Sequence, residues 1–304
     1  MTAISPKKDK LIESKPKVWT LPQVILMLVI LLFSLTCLLP FVNVAAVSFS
    51  SKSAILRGDV SFWPVEFETT AYSAIFSDPS MIHSLVFTVE ITVGYTLFSM
   101  ILTILMAYPL TKKRLHGRKF FNFLALFTMY FSGGTIPIYL NIKELGLLDS
   151  PWALILPGML STYNMIILKS FFSALPNELE EAAIIDGATD FQVLLRVYLP
   201  LSMASLATLT LFYAVGKWNS FQDALYYIST KAFQPLQLKL YHIIKGSQAV
   251  DVAAMEGGAS TVATSVSESI EPATIIFATL PILVVYPFVQ RYFVAGVTIG
   301  AVKG

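Results

Sequence analysis

Apolar residues in this chain run on for longer than the face of a soluble helix requires, and short polar clusters separate the runs. A helix that crosses a bilayer needs about 20 mostly apolar residues. Six stretches meet that length: Leu21–Val47, Ile82–Leu110, Phe120–Leu140, Trp152–Phe172, Leu201–Phe221 and Pro272–Tyr292. The pattern predicts an all-α integral membrane protein with six transmembrane helices. The first run is well beyond the roughly 7–15 residues of a signal-peptide core, so it reads as a retained span.

Composition agrees with this reading. Of 304 residues, 55% are hydrophobic and only 13% are charged, against about 25% charged in soluble domains. Cys37 is the sole cysteine, and His83, His116 and His242 are far apart. No disulfide framework and no metal site is expected. A net charge of +2 gives no case for nucleic acid.

The positions of the basic residues set an orientation. Lys and Arg gather on the cytoplasmic side of membrane proteins. With the N-terminus inside, the inner segments hold Lys7, Lys8, Lys10, Lys15 and Lys17, then Lys112, Lys113, Arg114, Arg118 and Lys119, then Lys169, Arg196, Arg291 and Lys303. The outer segments hold about half as many. Both termini are then cytoplasmic: a tail over 1–20, a membrane domain over 21–292 and a second tail over 293–304. Two extracytoplasmic loops are expected, at 48–81 and 222–271. The first carries Trp63, Pro64, Phe67 and Tyr72 and reads as ordered. The second begins with apolar periodicity and continues as a small, polar stretch that cannot build a core.

The segment 174–200 is unlike the rest. It reads NELEEAAIIDGATDFQVLLRVYLP from Asn177. Asn177 with Glu180 has capping-box spacing, and acids in a first turn favour the positive end of a helix. Gly187 suits a left-handed stop, and Thr189 with Gln192 repeats the capping pattern to open a second helix. The first helix is about 13 Å long, too short to stand alone and too acidic to cross a membrane. Ala182 and Ala183 allow close approach and Ile184 and Ile185 offer anchors, the form of a helix that enters a partner's groove. The plainer reading is a loop helix packed on its own bundle.

The spacing Glu181-Ala182-Ala183, three residues, Gly187, nine residues, Val197, one residue, Leu199-Pro200 resembles the EAA loop of ATP-binding-cassette (ABC) importer permeases. That pattern is E-A-A-x3-G-x9-I-x-L-P, and Val197 is the single departure. LTKKRLHGRK, FSGGTIPIYL, LGLLDSPWALILPG, VGKWNSF and QRYFVAGVTIGAVKG extend the resemblance to the carbohydrate-importing, maltose-type inner permeases. They resemble in particular those that serve lipoprotein or oligosaccharide-binding proteins.

The resemblance implies a type I ABC importer permease fold in a bacterial cytoplasmic (inner) membrane, moving a carbohydrate or oligosaccharide. It implies an ATPase-coupling segment containing Glu181, Ala182, Ala183, Asp186 and Gly187. The implied partners are a second homologous permease subunit, a cytoplasmic ABC ATPase dimer, and an extracytoplasmic solute-binding protein or lipoprotein. Glu256, Gly257 and Gly258 are the implied contacts for the last; a bare connector is the plainer reading. No G-x-x-x-x-G-K-[ST] occurs, so this chain is not expected to be an enzyme or to bind a cofactor. ATP and Mg belong to the partner ATPase.

Tyr130, Tyr139, Tyr163, Asn164, Tyr213, Trp218 and Asn219 are candidates for the substrate pathway, because rings stack on sugars and amides bond hydroxyls. Aromatic residues also gather at membrane interfaces for structural reasons. Glu90 sits at membrane depth, where an acid is a candidate functional site; a wet cavity or a partner within the bundle is the plainer reading. An ion-coupled secondary transporter is the alternative function, but the spans are poor in acids. The sequence leaves the charge of the sugar open.

Overall fold

Lipid supplies no hydrogen bonds, so the backbone of a spanning segment must satisfy itself. The computed structural model describes residues 20–255 and 267–301, and among these residues every regular element is helical. The Glu256, Gly257 and Gly258 contact, the N-terminal tail and the last residues of the C-terminal tail lie outside the described residues.

Helix α1 (Leu21–Ser48) leaves nearly every side chain from Leu21 to Phe41 exposed, a surface suited to hydrocarbon rather than water. Two short helices, α2 (Lys52–Arg57) and α3 (Thr70–Ser77), lead into α4 (Pro79–Thr111). The last is about 50 Å long. One face of α4 is small and buried: Ser84, Thr88, Thr92, Ser99, Thr103 and Ala107. Small residues let neighbouring helices approach, and α4 is the element against which α8, α12 and α14 pack (ranges below). Its other side exposes Val86, Val93, Leu97, Ile101 and Leu105.

The third expected span does not form one helix. It divides into α5 (Arg118–Tyr130) and α6 (Thr135–Glu144), whose axes differ by 112°. Phe131 is extended and Gly134 takes φ +89°, which ends one helix and turns the chain before the next. The fourth stretch is also divided, into α7 (Trp152–Ile155) and α8 (Thr162–Ser173). Pro157 and Gly158, the latter at φ +74°, lie between them. A tyrosine pair repairs this break. The Tyr95 hydroxyl donates to the Gly158 carbonyl at 2.8 Å, and the Ser161 N–H donates to the Tyr213 hydroxyl at 3.1 Å.

After α8 the chain forms α9 (Asn177–Ile185), α10 (Asp190–Val193), a π-helical turn (Leu194–Tyr198) and α11 (Leu199–Leu201). It then bends by 84° into α12 (Met203–Trp218). Next come α13 (Gln222–Tyr227), a 3-10 turn (Lys231–Phe233), α14 (Leu236–Met255) and α15 (Ser267–Ala301). Three helices among the described residues are long and apolar enough to cross a membrane, or up to five crossings if each bent pair is one. The third and fourth stretches are thus broken helices rather than continuous ones.

The principal core joins α4, α8, α10, the π turn and α12 through Met100, Tyr108, Met165, Leu168, Phe172, Val193, Tyr198 and Leu209. The 49–78 loop is ordered, as its aromatic content suggests. Glu66, at φ +53°, is held by Ser51, by Ser53 at 2.7 Å and by Arg57 at 3.0 Å. The hydroxyls of Ser51 and Ser53 and then Arg57 hold its carboxyl at about 2, well below its ordinary value of 4.5. A depressed carboxyl contributes stability above its unfolded pKa and loses it as pH falls through the folded one. Hydrogen-exchange protection of residues 51–57 should hold from neutral pH to about 4.5 and decay toward about 2. In Glu66→Gln that acid dependence should be absent.

Candidate functional site

The chain leaves α8 at Pro176 and makes the nine-residue helix α9. Its end is built by local backbone geometry. Gly187 adopts φ +82°, its N–H reaches the Ile184 carbonyl at 2.9 Å, and the Ala188 N–H reaches Ala183 at 2.9 Å. These are the two bonds of a Schellman stop. Ala183 and Ala188 both lean on the principal core, which supplies the apolar contact that accompanies the motif. The Thr189 capping box also forms: Thr189 N–H to the Gln192 side chain at 2.9 Å, and Gln192 N–H to Thr189 Oγ1 at 3.4 Å.

The first expected capping box does not form. Asn177 is the first helical residue, Pro176 occupies the N-cap position, and no side chain caps it. Glu180 is engaged elsewhere. Its Oε2 receives Lys112 Nζ at 2.6 Å and the Tyr198 hydroxyl at 2.7 Å. Lys112 Nζ also donates to that hydroxyl at 3.0 Å, and lies 4.2 Å and 4.1 Å from the ring centres of Tyr108 and Tyr198. The Lys112 side chain is 9% exposed and that of Glu180 17%. Tyr108 donates to the Asp190 carbonyl at 3.0 Å, and Arg114 pairs with the Asp190 carboxylate.

Burial pulls the Lys112 ammonium below its ordinary range, against the attraction of Glu180. Burial would raise Glu180, but the hydrogen bonds from Lys112 and Tyr198 and the Lys112 charge outweigh it and leave the carboxyl lowered. Pairing thus more than offsets desolvation for the acid, while the lysine keeps a net cost of leaving water. Glu180 is the firmly ionised partner.

This network fixes the two sides of α9. Glu180 and Ala183 face inward. Glu178, Glu181, Ala182, Ile185 and Asp186 face outward and are exposed, Ile185 at 85%. Among the described residues no side chain pairs with Glu178, Glu181 or Asp186. Of the two alanines expected to meet a partner, Ala182 is on the open face and Ala183 is half-buried against the chain itself. Lys112, Glu180 and Tyr198 were not singled out as a unit by the sequence. Only their residue types hinted at it: a lysine following an apolar helix and tyrosines in reach of it.

The pathway candidates divide into two groups. Asn164, Tyr213 and Trp218 are buried. Tyr213 shares a 2.7 Å hydrogen bond with Thr103, and Trp218 Nε1 donates to the Ala278 carbonyl at 3.2 Å. Tyr139 is half-buried, with its ring stacked on Tyr227 at 6.3 Å. Tyr130, Tyr163 and Asn219 are exposed. Tyr130 and Tyr163 follow Thr128 and Thr162, whose hydroxyls lie 3.4 Å apart across α5 and α8. Glu90 is on the exposed side of α4, and no described residue pairs with it. Lys169 is hydrogen-bonded to Asn122. No cluster of potential metal ligands occurs among the described residues.

No family model matches the chain. It is 42% identical over 275 residues to the polygalacturonan/rhamnogalacturonan transport system permease protein YtcP of Bacillus subtilis (strain 168), covering 90% of this chain and 96% of that protein. It is 44% identical over 267 residues to protein LplC of the same organism, covering 88% of this chain and 90% of LplC. Its structure matches a chain of a bacterial ABC transporter involved in the import of the acidic polysaccharide alginate. The TM-score there is 0.81 at 30% identity, over 91% of this chain and 100% of that one.

The two neighbouring glutamates should differ in their contribution to stability. Glu180→Ala leaves a buried ammonium without its carboxylate, at a cost of about 2–3 kcal/mol; the two tyrosine rings retain part of the interaction. Glu181→Ala removes an exposed charge and should change stability by less than about 0.5 kcal/mol. Thermal unfolding of the purified protein in detergent measures both.

Proposed function

The chain belongs to the permease subunits of sugar ABC importers, and we propose that its short acidic helix α9 is the part that couples it to a separate ATPase. The chain is not itself the ATPase. In this proposal it crosses the bacterial inner membrane six times with both termini inside, two of the crossings being the broken segments around Gly134 and Gly158. It pairs with a second homologous permease, receives sugar from an extracytoplasmic binding protein or lipoprotein, and rests on an ABC ATPase dimer that holds ATP and Mg.

The observation that carries the proposal is the two-sidedness of α9. Its inner face is fixed by Glu180 and Ala183, and its outer face presents Glu181, Ala182, Ile185 and Asp186 without partners among the described residues. Lys112–Lys119 and Arg196, the basic residues expected to mark the cytoplasmic side, lie in the loop and helices beside it. Gly187 gives the turn, Ala182 the close approach, and Glu181 and Asp186 polar contacts. Ala183 serves by seating the helix.

The transported sugar in this proposal is an acidic, uronate-containing oligosaccharide. Two similarities support it. YtcP is named for polygalacturonan and rhamnogalacturonan transport, and the structural relative belongs to an alginate importer.

Gly187→Val tests the coupling role. No atom comes within 4 Å of a Cβ built there, so the strain is the backbone's alone, about 1–2 kcal/mol at positive φ and more for a β-branched residue. The membrane subunits should still assemble. In proteoliposomes containing the whole importer, sugar taken up per ATP should fall about tenfold, as expected for a change near 1.4 kcal/mol. Normal uptake by this variant would count against the coupling role. Uptake of oligogalacturonate in preference to a neutral oligosaccharide of equal length tests the substrate; the reverse order would refute it.

A further inference from the structure

We propose that Lys112 is a positioning residue that ties the coupling helix α9 to the cytoplasmic end of α4, so that movement of α9 is delivered directly to that span. The inference rests on the coupling reading of α9 and goes beyond it by naming the route.

Covalent chain joins α9 to α8 on one side and, through the Gly187 turn and α10, to α12 on the other. Each connection passes through a turn, one at Leu175-Pro176 and the other at the left-handed Gly187. Lys112 supplies a third connection to a different helix. It follows Thr111, the last residue of α4, and meets Glu180 from 68 positions away in sequence.

The contact is built to hold one geometry. The ammonium lies between two tyrosine rings, at 4.2 and 4.1 Å, and donates to both the Glu180 carboxylate and the Tyr198 hydroxyl. Tyr198 in turn donates to the same carboxylate oxygen. Those rings pack edge to face, 5.1 Å apart, and both belong to the principal core. A displaced Glu180 must therefore drag Lys112 and Tyr198 or leave a charge unpaired in a nearly closed site. Tyr198 is the last residue of the π turn, so the same junction also reaches the entry to α12.

Energetics favour a mechanical reading over a purely stabilising one. Replacing a buried ion pair by apolar residues of similar volume is often neutral or stabilising. What an ion pair gives that an apolar pair does not is directionality: two hydrogen bonds and two ring contacts that fail if α9 slides past α4. The receiving helix suits the task, because α8, α12 and α14 all pack on α4.

The test uses the whole importer, with its second permease, ATPase and binding protein, in proteoliposomes. Lys112→Met, the double variant Lys112→Met with Glu180→Gln, and Gly187→Val are compared. Three quantities are read: ATPase retained in the purified complex, ATP hydrolysis, and oligosaccharide uptake per ATP.

In Lys112→Met and in the double variant, the ATPase should stay bound and hydrolysis should continue. Uptake per ATP should fall about fivefold in both. The double variant leaves no buried charge unpaired, so a merely structural ion pair predicts that it regains the wild-type ratio; that result overturns the proposal. Loss of the ATPase from both variants also overturns it, by making the pair a docking element. A wild-type ratio in Lys112→Met beside a low ratio in Gly187→Val refutes the Lys112 route and leaves the coupling helix standing. Wild-type ratios in all three refute both.

Discussion

Every backbone N–H and C=O freed by a broken helix in an apolar environment must find a partner, and the fold of this chain is arranged around that requirement. The principal breaks are at 131–134, at 156–161 and at Ser202. At the second, Tyr95 and Tyr213 replace the missing helical bonds with hydroxyl groups from α4 and α12. Tyr213 also bonds Thr103 of α4. A short α8 can therefore sit against α4 and α12 without leaving its entrance unsatisfied. The segment that precedes the acidic helix is in this way held by two tyrosines far from it in sequence.

The same logic governs the acidic segment that follows α8. Helix α9 is too short to persist by its own hydrogen bonds. It persists because its C-terminal end is closed by a turn and one face is attached. The Schellman bonds at Gly187 and the capping box at Thr189 satisfy backbone groups that two successive helices would otherwise leave open. Attachment comes from Ala183 on the core and Glu180 on Lys112. What is left outward is acidic, small and apolar in one strip, a surface that pairs with no side chain among the described residues. A seated helix whose outer face is open among the described residues suits the coupling role proposed for it.

Helices α8, α12 and α14 all pack on α4. The buried side of α4 is lined by serine, threonine and alanine, which permits close approach by several helices. At one end it carries Lys112 and Tyr108 under the acidic helix, and at mid-length Tyr95 and Thr103 at the repaired break. Glu90 lies on its other side, exposed in the isolated chain. A carboxylate at that depth is tolerable in a water-filled space or beside another subunit.

The sequence by itself determined whatever depends on near neighbours along the chain. Long apolar runs specified a membrane protein, and the acidic stretch with Gly187 and Thr189 specified two short helices and the turn between them. The spacing around Glu181 and Gly187 specified the family. The turns and caps follow from backbone geometry and side chains within four residues of one another, and the runs and spacings are read directly along the chain. Tertiary structure decided the rest. Glu180 had the right spacing to cap its own helix, but the cap lost to Lys112, because a buried ammonium 68 positions away gains more from a carboxylate than an exposed N–H does. Tyr213 and Trp218 had the chemistry to meet a sugar, yet packing turned their polar atoms to Thr103, Ser161 and Ala278. Gly133 and Gly134 followed by Pro137 suit a close-packed helix or a broken one, and the sequence alone does not choose the break that parts α5 from α6. Such choices are settled by which distant groups are left unpaired once the helices pack, and no local pattern records that.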